Sequence, residues 1–300
     1  RHSMQKTELD RLAIGLMVLF CTIWGLQQVA IKIASAGISP IWQAGLRSIG
    51  ASVIVLLWSW LRGVRLFERD GTLLPGLLAG LLFAIEFALI FVGLQYTTAA
   101  RGVIFLYTAP FFVALGAVWL LPQETMRRAQ WAGMALAFAG VLVLFGEGVF
   151  SSADSAWIGD LMVLLGAVFW AATTLTVKAT CLGRGSAEKT LLYQLGVSAV
   201  TLPALSLVLG EPGVFAPNML VWTSLLFQTV IVAGISYLGW FWLVRHYPAT
   251  RLSTFSFLAP VMGVLAGGLI LGENLSPPVF AALGLVGAGI SIANWPARRA

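Results

Sequence analysis

Two charges stand deep inside apolar runs of this 300-residue chain: Arg47, in the run 40–61, and Glu86, in the run 73–95. A guanidinium takes a carboxylate on two parallel N–H bonds, and a carboxylate takes an ammonium. An isolated charge in an apolar phase costs at least about 2.5–3.5 kcal/mol, so each side chain must turn toward the protein interior, and pairing relieves both. At a rise of about 1.5 Å per helical residue, Arg47 lies roughly 10 Å and Glu86 roughly 13 Å below the same end of their helices. That common depth predicts an Arg47–Glu86 contact, directly or through water. The pair is either purely structural or a solute site in which arginine holds a carboxylate and glutamate an ammonium.

The elements that position these groups follow from composition. The chain is 59% hydrophobic and 10% charged, against about 25% charged in a soluble domain, so polar residues are too few to form a shell and lipid must surround most of it. With roughly 20 apolar residues to a span, the sequence divides into ten helices, at 11–34, 40–61, 73–95, 101–121, 129–147, 157–179, 188–209, 219–244, 251–271 and 278–295. Breaks at Arg62–Thr72, Pro122–Arg128, Gly183–Lys189 and Glu211–Pro217 are marked by charge, proline and glycine. Fourteen Lys and Arg residues fall on the side that holds both termini and two, Lys32 and Arg101, on the other, which places both termini in the cytoplasm.

Self-comparison shows the second half repeating the first at an offset of 146 to 150. Trp24 and Lys32 match Trp170 and Lys178; Gly50 and Ser52 match Gly196 and Ser198; Glu124 matches Glu273 and Gly140 matches Gly289. Ala99, Arg101, Phe105, Ala109 and Pro110 recur as Ala249, Arg251, Phe255, Ala259 and Pro260. Five helices is an odd number, so the halves must lie in opposite orientations, an inverted-repeat design whose solute sites lie near the midplane. The expected units are residues 11–147 and 157–295 within one integral membrane domain.

The repeat adds candidates. Trp24 and Gln27, with Gln28, lie midway along the first helix, and Trp170, with Thr173 and Thr174, along the sixth; most other tryptophans sit near helix ends, where an interfacial belt accounts for them. The two central tryptophans are walls for an aromatic solute or core packing. Pro110 and Pro260 occupy equivalent mid-helix positions, where proline removes a hydrogen bond and kinks the helix; they shape a cavity or hinge, or pack statically. Tyr107 and Phe257, one turn before them, are expected at the cavity. Tyr193 and Ser236 stand where the first half has Arg47 and Glu86, so the charge pair is not repeated. Arg101 and Arg251 open their helices at the positive end of the dipole, a position that demands a local partner, with lipid phosphate as the plain alternative. Gly76-x-x-x-Gly80 and Gly263-x-x-x-Gly267 are packing motifs that identify no ligand.

Several classes are excluded. The net charge of +6 is spread thinly between apolar runs and forms no stripe for nucleic acid. Cys21 and Cys181 lie in or beside apolar runs and suit packing better than a disulfide or metal site. No zinc-protease, nucleophile-elbow or phosphate-loop motif is present, and His246, at a helix end, is the sole histidine outside Arg1-His2-Ser3, which reads as a tag remnant. The first apolar run is too long for a cleavable signal peptide. Neither half shows the ring of charges or filter loop of a channel.

Ten spans in two repeats, the Trp-x-x-x-x-x-x-x-Lys pattern of the first helix of each half and the Ala-x-Arg…Ala-Pro…Glu block ahead of a glycine-rich last helix resemble the EamA-type members of the drug/metabolite transporter superfamily, over residues 10–296. Within it, the tryptophan content and first two helices are similar to bacterial aromatic amino-acid exporters. The resemblance implies an all-α carrier of the bacterial inner membrane, a monomer or weak dimer, with a central cavity and no cofactor, that exports amino acids, aromatic or otherwise bulky, by alternating access. Organic cations are the alternative cargo. Glu86 is placed to carry a coupling proton, and uniport is equally compatible with the sequence.

Overall fold

The structure, a computed structural model, describes residues 6–93, 96, 97, 99–124, 126–146, 156–271 and 275–295. The tag-like residues 1–3, Glu273, Arg298 and Arg299 lie outside them, as do the side chains of Gln28 and Lys32. Ten helical runs among the described residues are long and apolar enough to cross a membrane, from Arg11–Ile31 to Pro277–Asn294. The helices are α1 (Arg11–Ala34), α2 (Pro40–Leu61), α3 (Leu73–Gly93), α4 (Ala99–Leu106), α5 (Ala109–Leu120), α6 (Arg128–Phe145), α7 (Ala156–Ala179), α8 (Ala187–Val208), α9 (Met219–Phe227), α10 (Tyr237–His246), α11 (Ala249–Phe255), α12 (Leu258–Leu271) and α13 (Pro277–Asn294). Helix starts follow local chemistry: Asp10, Ser186 and Asn218 each accept a backbone N–H from the first turn of α1, α8 and α9.

The expected fourth and ninth helices are each broken in two. Proline was expected to kink a continuous helix; instead the helix stops and restarts, with Pro110 in the first turn of α5 and Pro260 in the first turn of α12. A missing N–H costs nothing in a first turn, where that donor has no helical partner. At each break the bonds tighten to i→i−3, from Thr108 and Ser256 to Phe105 and Ser253, and the same two residues donate their hydroxyls to those carbonyls at 2.5 Å. The eighth span runs on to His246, with a nine-residue π-helical stretch, Gln228–Ser236, joining α9 to α10.

Packing between the halves comes in matched pairs. α1 lies on α12 as α7 lies on α4 and α5; α3 lies on α8 as α2 lies on the π segment; α2 meets α8 and α6 meets α13. Glycine permits close backbone approach in these pairs, since a Cβ on Gly25 of α1 would stand 2.5 Å from the Gly263 nitrogen of α12. The outward surface is apolar, Trp60, Leu61, Val208 and Leu269 being exposed, which in a membrane is the lipid face.

Candidate solute cavity

A cavity of about 220 Å³ lies between α1, α3, α4, α7, α8 and α10. Its lining takes the C-terminal halves of α1 and α3, from Trp24 to Ile31 and from Phe83 to Phe91, together with Gly102 of α4 and Val163 of α7 near their starts. It therefore runs from the middle of the bundle toward the face opposite the termini.

Seven of the residues singled out in the sequence meet there: Trp24, Gln27, Glu86, Tyr107, Trp170, Thr173 and Thr174. Trp24 donates its indole N–H to Ser236 Oγ at 3.1 Å and stands edge-on to Trp240, with ring centroids 5.7 Å apart. Tyr107 and Trp170 meet edge-on at 5.9 Å. Such contacts fix aromatic planes. Ser236, the counterpart of Glu86, thus orients the tryptophan rather than facing a charge. Glu86 is the one formally charged side chain in the lining, is 8% exposed, and has no hydrogen-bond partner among the described residues.

Arg47 does not make the direct form of its expected contact with Glu86. No ion pair of 4.0 Å or less joins it to Glu86, and it does not line the cavity. Its guanidinium lies 4.8 Å from the Phe87 ring centroid and 5.8 Å from that of Tyr237, both wall residues, and its Nη1 has no hydrogen-bond partner. The aromatic wall draws the cation by its ring quadrupole. Tyr193 and Phe257 are also outside the lining. Tyr193 seats its ring on Gly76 and shares a 3.2 Å hydrogen bond with Thr72, because the glycine leaves room for an aromatic at the α3–α8 contact. Phe257 is fully buried at the break before α12, against Phe111 and Phe138.

The remaining aromatic wall, including Phe83, Phe87, Tyr237 and Trp240, and the amide of Gln194 carried no mark in the sequence, since they sit in helices apolar on every side. Asp160 was visible as an acid near the start of the sixth apolar run. Only the fold shows that it receives Arg101, whose Nε donates to both carboxylate oxygens at 3.0 and 3.1 Å while Nη2 donates to Oδ2; Thr97 adds a 2.7 Å bond. This is the partner that the start of α4 required. Arg251, its repeat counterpart, keeps a buried Nη1 without a partner.

On the face of the termini the bundle is closed by a buried clasp. Lys178, at the end of α7, donates to the carbonyls of Val244 and Tyr247 at 2.6 Å each and pairs with Glu124 at 3.3 Å. The other Glu124 oxygen accepts the Ala249 N–H at 2.7 Å. The cation thus meets the negative end of α10, and the carboxylate caps the positive end of α11. Outside it, Tyr247 donates to Asp10, which also receives Lys6. The Lys6 ammonium, then the Ala13 N–H, hold the Asp10 carboxyl down at about 2.

A family model described as the EamA-like transporter family matches residues 11–146 and again 157–295. An uncharacterized inner membrane transporter of Escherichia coli is 24% identical over 91% of this chain and 87% of its own length. A probable amino-acid metabolite efflux pump of Salmonella typhimurium is 27% identical over 92% of this chain and 93% of its own. A crystal structure 23% identical to the chain shares its fold at a TM-score of 0.83, covering 97% of this chain and 99% of that one. A ten-span helical bundle around a central cavity, matched by one family model over nearly its whole length, makes this chain a multi-pass membrane transporter of the EamA-like family, in the drug/metabolite transporter superfamily.

Proposed function

We propose that the chain exports a small bulky amine, in the first place an amino acid with an aromatic or large apolar side chain, across the bacterial inner membrane by alternating access. The observation that carries this reading is Glu86, the one formally charged side chain in a cavity lined mainly by aromatic and aliphatic side chains, with no hydrogen-bond partner among the described residues. The ammonium sits on Glu86, the apolar body among Trp24, Tyr107, Trp170 and Trp240, and Gln27 and Gln194 supply hydrogen bonds. A volume of about 220 Å³ is below the about 300–1,000 Å³ that encloses a drug-sized ligand, which favours an amino-acid-sized cargo over bulky drugs. The relative named as an amino-acid metabolite efflux pump supports the same class.

The matched contacts between halves support the reading of residues 11–147 and 157–295 as an inverted repeat whose rocking moves the site between faces. With the termini in the cytoplasm, the clasp at Lys178 closes the inner face and the cavity is directed outward. Arg101, Arg251, Pro110 and Pro260 belong to the moving joints. Tyr193 and Phe257 support the wall from behind.

A second reading has one observation in its favour. Arg47 lies against the rings of Phe87 and Tyr237 and outside the cavity lining, so the lining itself offers no cation for a carboxylate and an ammonium alone suffices for Glu86. Counterflow in proteoliposomes separates the two: phenylalanine and tryptophan against phenethylamine, tryptamine and quaternary organic cations. Exchange of the amino acids supports the first reading, and Arg47→Met then tests whether Arg47 takes part in holding the carboxylate. Exchange of the amines and cations alone replaces it with the second. Flux with and without a pH gradient, in wild type and Glu86→Gln, decides proton coupling.

A further inference from the structure

The two faces of the bundle differ at one equivalent place. α2 and α8 both start after a serine, Ser39 and Ser186, and both end in the same hydrogen bonds, Arg62 to Trp58 and Val64 to Ser59 in one, Leu209 to Leu205 and Glu211 to Ser206 in the other. Every residue of the second set lies 147 positions after its counterpart in the first. Glu211 therefore stands where the first half has Val64.

On the face opposite the termini, the Glu211 carboxylate is held by Ser206 Oγ at 2.6 Å and accepts the first-turn N–H groups of Ile41 and Trp42 at 3.3 and 3.0 Å. An internal anion thus fills the positive end of α2. On the face of the termini, among the described residues, no carboxylate accepts the first-turn N–H groups of α8, whose own acid, Glu188, lies near Arg245. Ser59, the counterpart of Ser206, turns its hydroxyl to Val55 of its own helix. The start of α8 instead borders a hollow of about 420 Å³, with Val64 in its wall.

Four cations converge on that hollow, Arg65, Arg184, Lys189 and Arg245, against two carboxylates, Glu68 and Asp70. Both carboxylates are already engaged, Glu68 by Arg65 at 2.8 Å and Asp70 by Lys189 at 2.9 Å. Arg184 and Arg245 have no ion pair of 4.0 Å or less among the described residues, and the Arg245 Nε is buried with no hydrogen-bond partner. Ser186 takes only the Lys189 N–H of the first turn of α8. The preference of cytoplasmic loops for Lys and Arg accounts for positive charge on this face, but not for its gathering around a hollow where the opposite face has an anion.

We infer that this hollow binds a phosphate group, from free phosphate or from the headgroup of an anionic lipid, whose oxygens take the place that the Glu211 carboxylate fills on the other face. Arg184 and Arg245, neither of which has an ion pair of 4.0 Å or less among the described residues, hold it through charge-assisted hydrogen bonds to its oxygens, with Glu188 of the first turn of α8 offsetting part of the Arg245 charge.

The full-length chain, delipidated in detergent, is titrated with inorganic phosphate and separately with short-chain phosphatidylglycerol, reading thermal unfolding and ligand retention by native mass spectrometry, with short-chain phosphatidylcholine as control. A saturable shift with phosphate identifies the free anion, one with phosphatidylglycerol alone identifies the lipid, and either supports the site. Val64→Glu installs the missing carboxylate and is expected to weaken the active probe by about tenfold or more while preserving the fold; Arg184→Gln with Arg245→Gln is expected to do the same. If the arginine variant fails to fold, Val64→Glu alone decides. The inference is overturned if neither probe gives a saturable shift above the phosphatidylcholine control, or if Val64→Glu binds as wild type does.

Discussion

Replacing Lys178 by methionine tests the clasp most directly. Methionine keeps most of the apolar stem and removes the ammonium, leaving Glu124 charged and buried without its cation and the carbonyls of Val244 and Tyr247 without their donor. Breaking a buried pair from one side costs about 3–5 kcal/mol, most of it the uncompensated charge that remains. At roughly 2 °C per kcal/mol for a chain of this size, the apparent melting temperature in detergent falls by about 6–10 °C. Glu124→Gln loses less, because the amide oxygen still caps Ala249 and Lys178 keeps two carbonyls. The double variant, Lys178→Met with Glu124→Gln, removes both charges and is expected to recover part of the single Lys178→Met loss, a coupling of about 0.5–3 kcal/mol in the double-mutant cycle. A Lys178→Met protein that melts within about 2 °C of wild type, roughly 1 kcal/mol, refutes the reasoning, as does a double variant whose loss equals the sum of the two singles.

Glu86→Gln keeps the shape of the cavity and removes its charge, so binding of an amine solute is expected to weaken by about 10–100-fold, the worth of a charge-assisted hydrogen bond; equilibrium binding checks it, and unchanged affinity removes Glu86 from the site. The Asp10 carboxyl is depressed from 3.8 to about 2, chiefly by the Lys6 hydrogen bond. A depressed acid contributes stability above its unfolded value and loses it as pH falls through the folded one, so the Lys6–Asp10–Tyr247 strap should hold above about pH 4 and release toward pH 2. Hydrogen exchange of the segment before α1 reads this, and protection that persists at pH 2 in wild type contradicts it. Gly25→Ala sets a Cβ 2.5 Å from the Gly263 backbone, whereas at Gly15 nothing lies within 4 Å; the first is expected to cost about 1–3 kcal/mol and Gly15→Ala to be neutral or stabilising, as thermal melting will show.

Much of the architecture was legible in the residue string because lipid imposes one ruler on every span. Apolar runs of membrane length, bounded by charge and glycine, determined ten helices to within a few residues, and the spaced Trp, Arg, Pro and Glu identities pointed to two related halves. Depth was legible too: Trp24, Gln27, Glu86, Tyr107 and Trp170 stand at heights that the cavity occupies. Direction around the helix axis was not. A soluble helix marks its buried face with apolar residues, but a membrane helix is apolar toward lipid and toward its neighbours alike, so nothing in the string told Phe87 and Tyr237 from residues facing lipid, or showed that their rings would lie against the Arg47 guanidinium. Tyr193 and Phe257 went to packing sites for the same reason. Tertiary structure decided the partners: Asp160 for Arg101 and Glu124 for Lys178, pairs 59 and 54 residues apart in the chain, because a buried charge is settled by whichever opposite charge the packing of distant helices brings within hydrogen-bond reach.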